Sequence, residues 1–487
     1  MKEELLKYLD KIGKINYLIT MLRWEMDTIA PASSFDYLIE TSTSLELESF
    51  KLSKSNEYIS IIEKLINSNE FDKLSNEEKT YILDLKEDYQ RIKNIPDDFY
   101  EMYSKLRSES LNAWVKAKKE DNFEIFKPYL IKIINETKEL YKYMYPDTNN
   151  LYESMISTYE KGMSLDLIDK LFNKLKEEII PIIKNLKNNK LKQLNKKYSN
   201  DKLYEVSSYL LDYIGFDNKR GALGIYTHGY TTTLNQNDIR IAFNNESDII
   251  DHMCTIIHEG GHGIFEQNVD KKLRDYKTYD IDKVALHESQ SRFFENILGR
   301  NINFWIPIYD DIKRMLDINL DIDEFIKYFN NAHSSLVRTK ADELTYCMHI
   351  IIRYEIEKEI FNGNIDLDNI DKIWDQKYME YLGIKSQNQK DGILQDMHWS
   401  GGDFGYFPTY LLGSIFDGML LEHINKTLGN VDDLLKNNEI KKITKYLNEN
   451  IHKYGGAYNI NEVSNRLTNK DLEVEPLVNY FKDKYNN

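Results

Sequence analysis

A chain of 487 residues with 41% hydrophobic composition is long enough to bury a sizeable core. Its 80 acidic residues against 64 basic give a net charge of −16, and no long basic run supplies the electrostatic footprint of a nucleic-acid partner. No signal-peptide-like apolar stretch opens the chain and no apolar run of about 18 residues occurs, so the sequence predicts a soluble, cytoplasmic protein with no membrane partner; its two cysteines, Cys254 and Cys347, are expected to be reduced core residues.

Taken in chain order, the predicted elements are mostly amphipathic helices. "MKEELLKYLDKIGKINYLITML" sets Leu and Ile at helical spacing among charges. Residues 166–189, "DLIDKLFNKLKEEIIPIIKNLKNN", repeat apolar positions every three or four residues, with Pro181 expected to kink the helix. Pro31, Pro96, Pro146, Pro307 and Pro408 read as helix boundaries or first-turn positions. One stretch breaks the rhythm. Residues 221–244, "GALGIYTHGYTTTLNQNDIRIAFN", hold two short runs suited to strands with polar turn residues between them, which predicts a small hairpin. The edge of such a strand can hold an extended peptide by backbone hydrogen bonds. The expected fold class is mainly α, a single body over residues 1–487, with a small sheet at the functional site.

The next stretch, "CTIIHEGGHGIFEQN", places His258 and His262 four apart on one helical face, with Glu259 between them able to reach a water on a shared ion. This is the HExxH arrangement. Gly260 and Gly261 lie inside the same helix, where each costs about 0.5–1 kcal/mol relative to Ala, so something must require them. A catalytic zinc takes three protein ligands and keeps one position open. In "ALHESQSRFFEN", Glu288, Ser291, Arg292 and Glu295 share a helical face, and the 26 positions from His262 to Glu288 leave room for a loop and an antiparallel return helix. Glu288 is the expected third ligand, with His287 on a neighbouring face as its rival.

These stretches, together with "LRWEMDTIAP", "YESMISTYEKGM", "NDIRIAF", "LVRTKADELTYCMHIIIRYEIE" and "GILQDMHWSGGDFGYFPTYLLG", give the chain a resemblance along nearly its whole length to the M32 metallocarboxypeptidases, the thermostable carboxypeptidase Taq type. The resemblance implies a large helical zincin-type body with a deep cleft, a homodimer, peptide substrates with a free C-terminus, and a metal held by His258, His262 and Glu288, the last matching the family's HES motif. It points to Arg338 as the cation for the substrate carboxylate; Asp238 and Arg240, in the DxRxT motif, are further candidate substrate-binding residues, with Arg240, Arg292 and Arg353 open to the alternative of structural ion-pair partners. It also makes Gly261 expected from the family's HExGH, while Gly260 is a departure that would leave room beside the ion or admit a neighbouring backbone. Other departures are Ala242 in place of the DxRxT threonine, His228, Gly229 and Tyr230 in place of His-Pro-Phe, and Lys340 in place of a glutamate; they bear on substrate preference.

The chemistry expected is hydrolysis of the C-terminal peptide bond. Zn2+ is the default ion for two histidines and a glutamate, with Co2+ or Mn2+ as substitutes, and Glu259 is the general base. "MHWSGGDFGYFPTY" offers His398, Tyr406 and Tyr410 as polar groups facing the substrate, with His398 and Tyr406 preferred as donors to the tetrahedral oxyanion. Arg338 suits a terminal carboxylate because a guanidinium makes two parallel hydrogen bonds to it. The alternatives are a zinc endo-oligopeptidase or aminopeptidase on the same metal centre, which blocked peptides would separate, and a non-enzymatic helical binding protein with a relic site, which a turnover assay would separate.

Overall fold

The computed structural model describes residues 1–186, 191, 194, 196–276 and 283–486. It is about 71% helical, with one three-stranded sheet among the described residues. The helices that frame the site are α1 (Lys2–Thr28), α2 (Leu151–Tyr159), α3 (Asn200–Ile214), α4 (Ile249–Asn268), α5 (Val284–Arg292), α6 (Glu343–Phe361) and α7 (Phe407–Thr427). One hydrophobic cluster runs from Tyr103 to Phe481, and a smaller one joins the N-terminal helices to Tyr276. None of the described helices is long and apolar enough to cross a membrane.

The prolines fall mainly where expected: Pro31 and Pro96 sit at helix N-caps and Pro408 in the first turn of α7. Pro181 lies inside a helix, Leu165–Lys184, that runs through it; residues 187–189 of the predicted helix lie outside the described residues. Both cysteines are free, Cys347 buried and Cys254 only partly so.

The sheet departs from the expected lone hairpin. Strands β1 (Gly221–Ile225), β2 (Tyr230–Asn235) and β3 (Asp238–Phe243) lie in the order β1-β3-β2. The tight hairpin is β2–β3, in antiparallel register with Thr231 opposite Ile241 and Thr232 opposite Arg240. β1 instead pairs parallel with the far side of β3, Gly221 against Ile239 through Ile225 against Phe243. The chain between β1 and β2 therefore crosses the end of the sheet, which its own residues cannot announce, because a parallel partner is chosen by packing on both faces.

Side chains alternate between the faces of a strand, so Thr231 and Ile241 share one face and Tyr230, Thr232 and Arg240 share the other. The first face packs on α4, where the Thr231 hydroxyl meets Glu259. The second meets α1: the Tyr230 ring stands edge-on to Trp24 at 5.8 Å and its hydroxyl donates to Asp27 at 3.0 Å. The sheet is thus held between the N-terminal helix and the HExxH helix.

Candidate active site

Helix α4 begins at Asp248, whose carboxylate accepts the Ile250 amide at 2.8 Å and so satisfies one of the orphan donors of the first turn. Ile250, Met253, Ile256, Ile257, Ile264 and Phe265 then bury it. Gly260 and Gly261 face neighbouring helices. A Cβ on Gly261 would lie 2.7 Å from Ser291 Cα and 2.8 Å from the Gln290 carbonyl oxygen, so the backbone of α5 rests directly on α4. A Cβ on Gly260 would meet Leu211 and Ile214 of α3 at 2.7 and 2.6 Å, which corrects the expectation that Gly260 leaves room for the ion or for a backbone. The α5 contact belongs to Gly261. Gly261→Ala is therefore expected to lower both the melting temperature and the metal content, since backbone yields poorly to overpacking that typically costs about 1–3 kcal/mol. Gly260→Ala, which pushes only on the ends of side chains and gains helix propensity, should keep its metal; equal metal loss in both would refute the distinction.

The close approach of α5 carries Glu288 to the histidines. His258 Nε2 lies 3.8 Å from Glu288 Oε1 and His262 Nε2 lies 3.4 Å from Glu288 Oε2. One ligand atom from each of the three falls within 4.8 Å of the others, the only such group among the described residues. The rival His287 turns to Glu266 at 3.1 Å and stacks on the His262 ring with centroids 4.5 Å apart. The connection that leads from α4 to α5 includes residues 277–282, which lie outside the described residues.

Past Arg292 the helix widens into a π-helical turn, Phe293–Gly299, a form that is rare and recurrent at functional sites. It brings Glu295 Oε2 to within 2.9 Å of His258 Nδ1, which leaves Nε2 directed at Glu288. A carboxylate behind a ligating imidazole orients it and raises its basicity. Burial by itself would lower the His258 pKa, but Glu288 and the hydrogen bond to Glu295 outweigh it and push it up to about 9. Burial would likewise raise Glu288, yet His258 and Arg292 hold it well below the usual carboxylate range. The pocket favours positive charge between two imidazoles and a carboxylate, which is the donor chemistry of a divalent metal site.

Glu259 lies on the sheet side of this cluster. Thr231 Oγ1 is 2.7 Å from its Oε2 and 2.9 Å from its main-chain oxygen. Gly229, two residues before Thr231 and just ahead of β2, has no space for a side chain because Thr255 fills it.

A chain of contacts leads from Glu288 to the other predicted residues. Arg292 donates to Glu288 at 2.8 Å and stacks on the Tyr346 ring at 3.8 Å. The Tyr346 hydroxyl accepts from Arg338 at 3.0 Å, and Arg338 lies 5.3 Å from the Tyr410 ring. Tyr410 reaches His398 Nε2 at 3.4 Å, and its ring centroid is 5.2 Å from that of Tyr406. Burial first, then Arg338, lowers His398 to about 3, so it is a neutral imidazole. Its Nδ1 is buried with no hydrogen-bond partner among the described residues.

Arg338 is buried and shares one carboxylate with Arg353: Asp396 accepts from Arg338 Nε at 2.9 Å and from Arg353 Nε at 2.6 Å. Two guanidiniums on one carboxylate leave a surplus positive charge. Asp238 and Arg240, in contrast, are not brought to this cluster. They pair with each other at 2.9 and 3.0 Å on the α1 face of the sheet, with Arg240 5.6 Å from the Trp24 ring. The strand alternation that puts Thr231 against Glu259 sends them to the opposite side. Of the other departures, Ala242 is buried and Lys340 is exposed.

A model of the carboxypeptidase Taq (M32) metallopeptidase family matches residues 4–485. The chain belongs to the M32 family. Carboxypeptidase 1 of Bacillus subtilis is 34% identical over all of this chain and 98% of its own length, and thermostable carboxypeptidase 1 of Pyrococcus furiosus is 29% identical over 100% and 98%. The structure of Trypanosoma cruzi metallocarboxypeptidase 1 superposes with a TM-score of 0.92 over 100% of this chain and 99% of that one, at 25% identity. As an M32 metallocarboxypeptidase the chain is a peptide hydrolase that depends on a divalent metal.

Proposed function

We propose that this M32 chain holds Zn2+ through His258, His262 and Glu288 and removes residues from peptide C-termini, with Glu259 as general base, His398 and Tyr406 as donors to the developing oxyanion, and Arg338 with Tyr410 at the substrate's terminal carboxylate. The observation that carries this reading is the convergence of the three donor side chains beside a glutamate held by its own hydrogen bond. Two imidazoles and one carboxylate suit zinc, and Co2+ or Mn2+ accept the same donors. The bound ion supplies Lewis acidity toward the scissile carbonyl and a water acidified to near neutrality.

The chain's own groups account for the rest. The Glu259 carboxylate takes the proton of the attacking water and passes it to the leaving amine. The Thr231 hydroxyl fixes the carboxylate for both transfers. Neutral His398 and the Tyr406 hydroxyl donate hydrogen bonds that strengthen as charge appears on the carbonyl oxygen. Arg338, held by Asp396 and Tyr346, presents the surplus charge to a terminal carboxylate, while a continuing chain has no counter-ion to offer. Asp238 and Arg240 are assigned to the contact between the sheet and α1, with no direct role at the reacting bond.

The test is metal analysis. Glu288→Ala is expected to lose metal and activity together, and full occupancy in that variant would exclude Glu288 as a ligand. Two free cysteines support a reducing, cytoplasmic setting, and the near-complete family match supports a single domain over residues 1–487. A homodimer completes the reading; light scattering that gives only the 57.7 kDa of one chain would remove it.

A further inference from the structure

Glu357, on α6, is fully buried and carries no part of the chemistry assigned above. Its Oε1 accepts the Trp399 indole N–H at 2.6 Å, and its Oε2 accepts the Gly405 amide at 2.9 Å and the Tyr152 hydroxyl at 2.9 Å. Trp399 follows His398 in the chain and Gly405 precedes Tyr406. One carboxylate therefore grips both ends of the loop whose flanking residues are the two oxyanion donors. Burial raises Glu357 to about 7 in spite of its three donors, so assays on the alkaline side of that value keep it ionised.

The loop has little other freedom. Gly402 and Gly405 take φ of +79° and +85°, the left-handed region that favours glycine. A Cβ on Gly405 would lie 2.7 Å from the backbone of Met155 and Ile156 in α2, and one on Gly402 would strike the Tyr103 hydroxyl. Tyr406 in turn stands edge-on to Tyr159 of α2 at 5.0 Å. The path of the loop is fixed from below by α2 and across its ends by α6.

We propose that Glu357 is a positioning residue: by holding Trp399 and Gly405 on its two oxygens it sets the separation and aim of His398 and Tyr406. The inference rests on the assignment of those two donors. Glu357→Gln keeps the shape but replaces one acceptor by an amide N–H that opposes the donors it faces. Displacement of a donor by about 1 Å can cost on the order of 100-fold, and donors that act on the transition state appear in kcat.

The experiment compares Glu357→Gln, Trp399→Phe, Tyr152→Phe, His398→Ala and Tyr406→Phe on a free-acid peptide, with metal content and melting temperature measured for each. Glu357→Gln is expected to lose roughly 10- to 100-fold in kcat, with KM hardly moved and metal retained. Trp399→Phe, which keeps a ring but releases one oxygen, should show a smaller loss of the same kind, and it carries the test if the first variant does not fold. Tyr152→Phe removes a donor that lies outside the loop, on α2, and should keep kcat. A kcat loss in Tyr152→Phe equal to that of Glu357→Gln overturns the inference in favour of a general core effect, as does metal loss or a matching rise in KM in Glu357→Gln. Unchanged kcat in Glu357→Gln and Trp399→Phe beside a large loss in His398→Ala overturns the inference alone. Unchanged kcat in His398→Ala and Tyr406→Phe overturns the donor assignment and the inference with it.

Discussion

Glu259→Gln is expected to keep its metal and its fold and to lose on the order of 100- to 10,000-fold in kcat, the usual worth of general-base assistance. The substitution is nearly isosteric and changes no member of the ligand set His258, His262 and Glu288. Gln can still accept the Thr231 hydroxyl through its remaining oxygen, so the side chain should stay where the carboxylate lies. What it cannot do is take a proton. Thr231→Val provides the complementary case, since it leaves the base intact and removes only its tether. Elemental analysis, a melting curve and steady-state kinetics under saturating metal make the measurement. Near-native turnover with full metal would end the assignment of Glu259 as the base.

The candidate ligand cluster of His258, His262 and Glu288 was legible because its signals are local. The spacing of His258, Glu259 and His262 is a property of one helix, and a third ligand is expected from the next charged helical face, where Glu288 and Glu295 recur seven apart. Glu295 shares that spacing, and it reaches His258 from within the widened turn Phe293–Gly299. No pattern in the sequence announces such a turn. Thr231, Asp396 and Glu357 were illegible for a different reason: each acts on a residue 28 to 58 positions away or, for Tyr152, 205 away, and such pairs are chosen by packing. The β2–β3 hairpin was readable from its polar turn, whereas β1 was missed as a strand of its own because nothing local distinguishes a parallel edge from a loop. For Arg240 the sequence leaves both a substrate-binding and a structural ion-pair role open, and its pairing with Asp238 favours the second. Alternation along β3 says that they share a face, but only the packing of α1 against that face shows that it is the one turned from Glu259.

Arg338→Ala is expected to separate end recognition from bond cleavage. In the native chain Arg338 and Arg353 lean on the single carboxylate of Asp396, and burial, which by itself would raise Asp396, is overcome by the two guanidiniums that hold it well below the usual carboxylate range. The surplus charge is what a substrate carboxylate would meet. Loss of one partner of a desolvated charge pair typically costs roughly 2–5 kcal/mol, or about 1.5 to 3.5 powers of ten in kcat/KM. That loss should fall on free-acid peptides. Amidated peptides, which offer no charge to pair, should be poor substrates of the native enzyme and should change little, so the gap between the two forms narrows in the variant. Arg353 and Asp396 remain paired after the substitution, which keeps the buried carboxylate satisfied and the His398 loop supported. The measurement is a matched pair of peptides, one free and one amidated, followed by mass spectrometry with both enzymes. Equal cleavage of the two by the native chain, or internal cuts as the main products, would place the charge at Arg338 in a structural role and move the substrate preference to that of an endo-oligopeptidase.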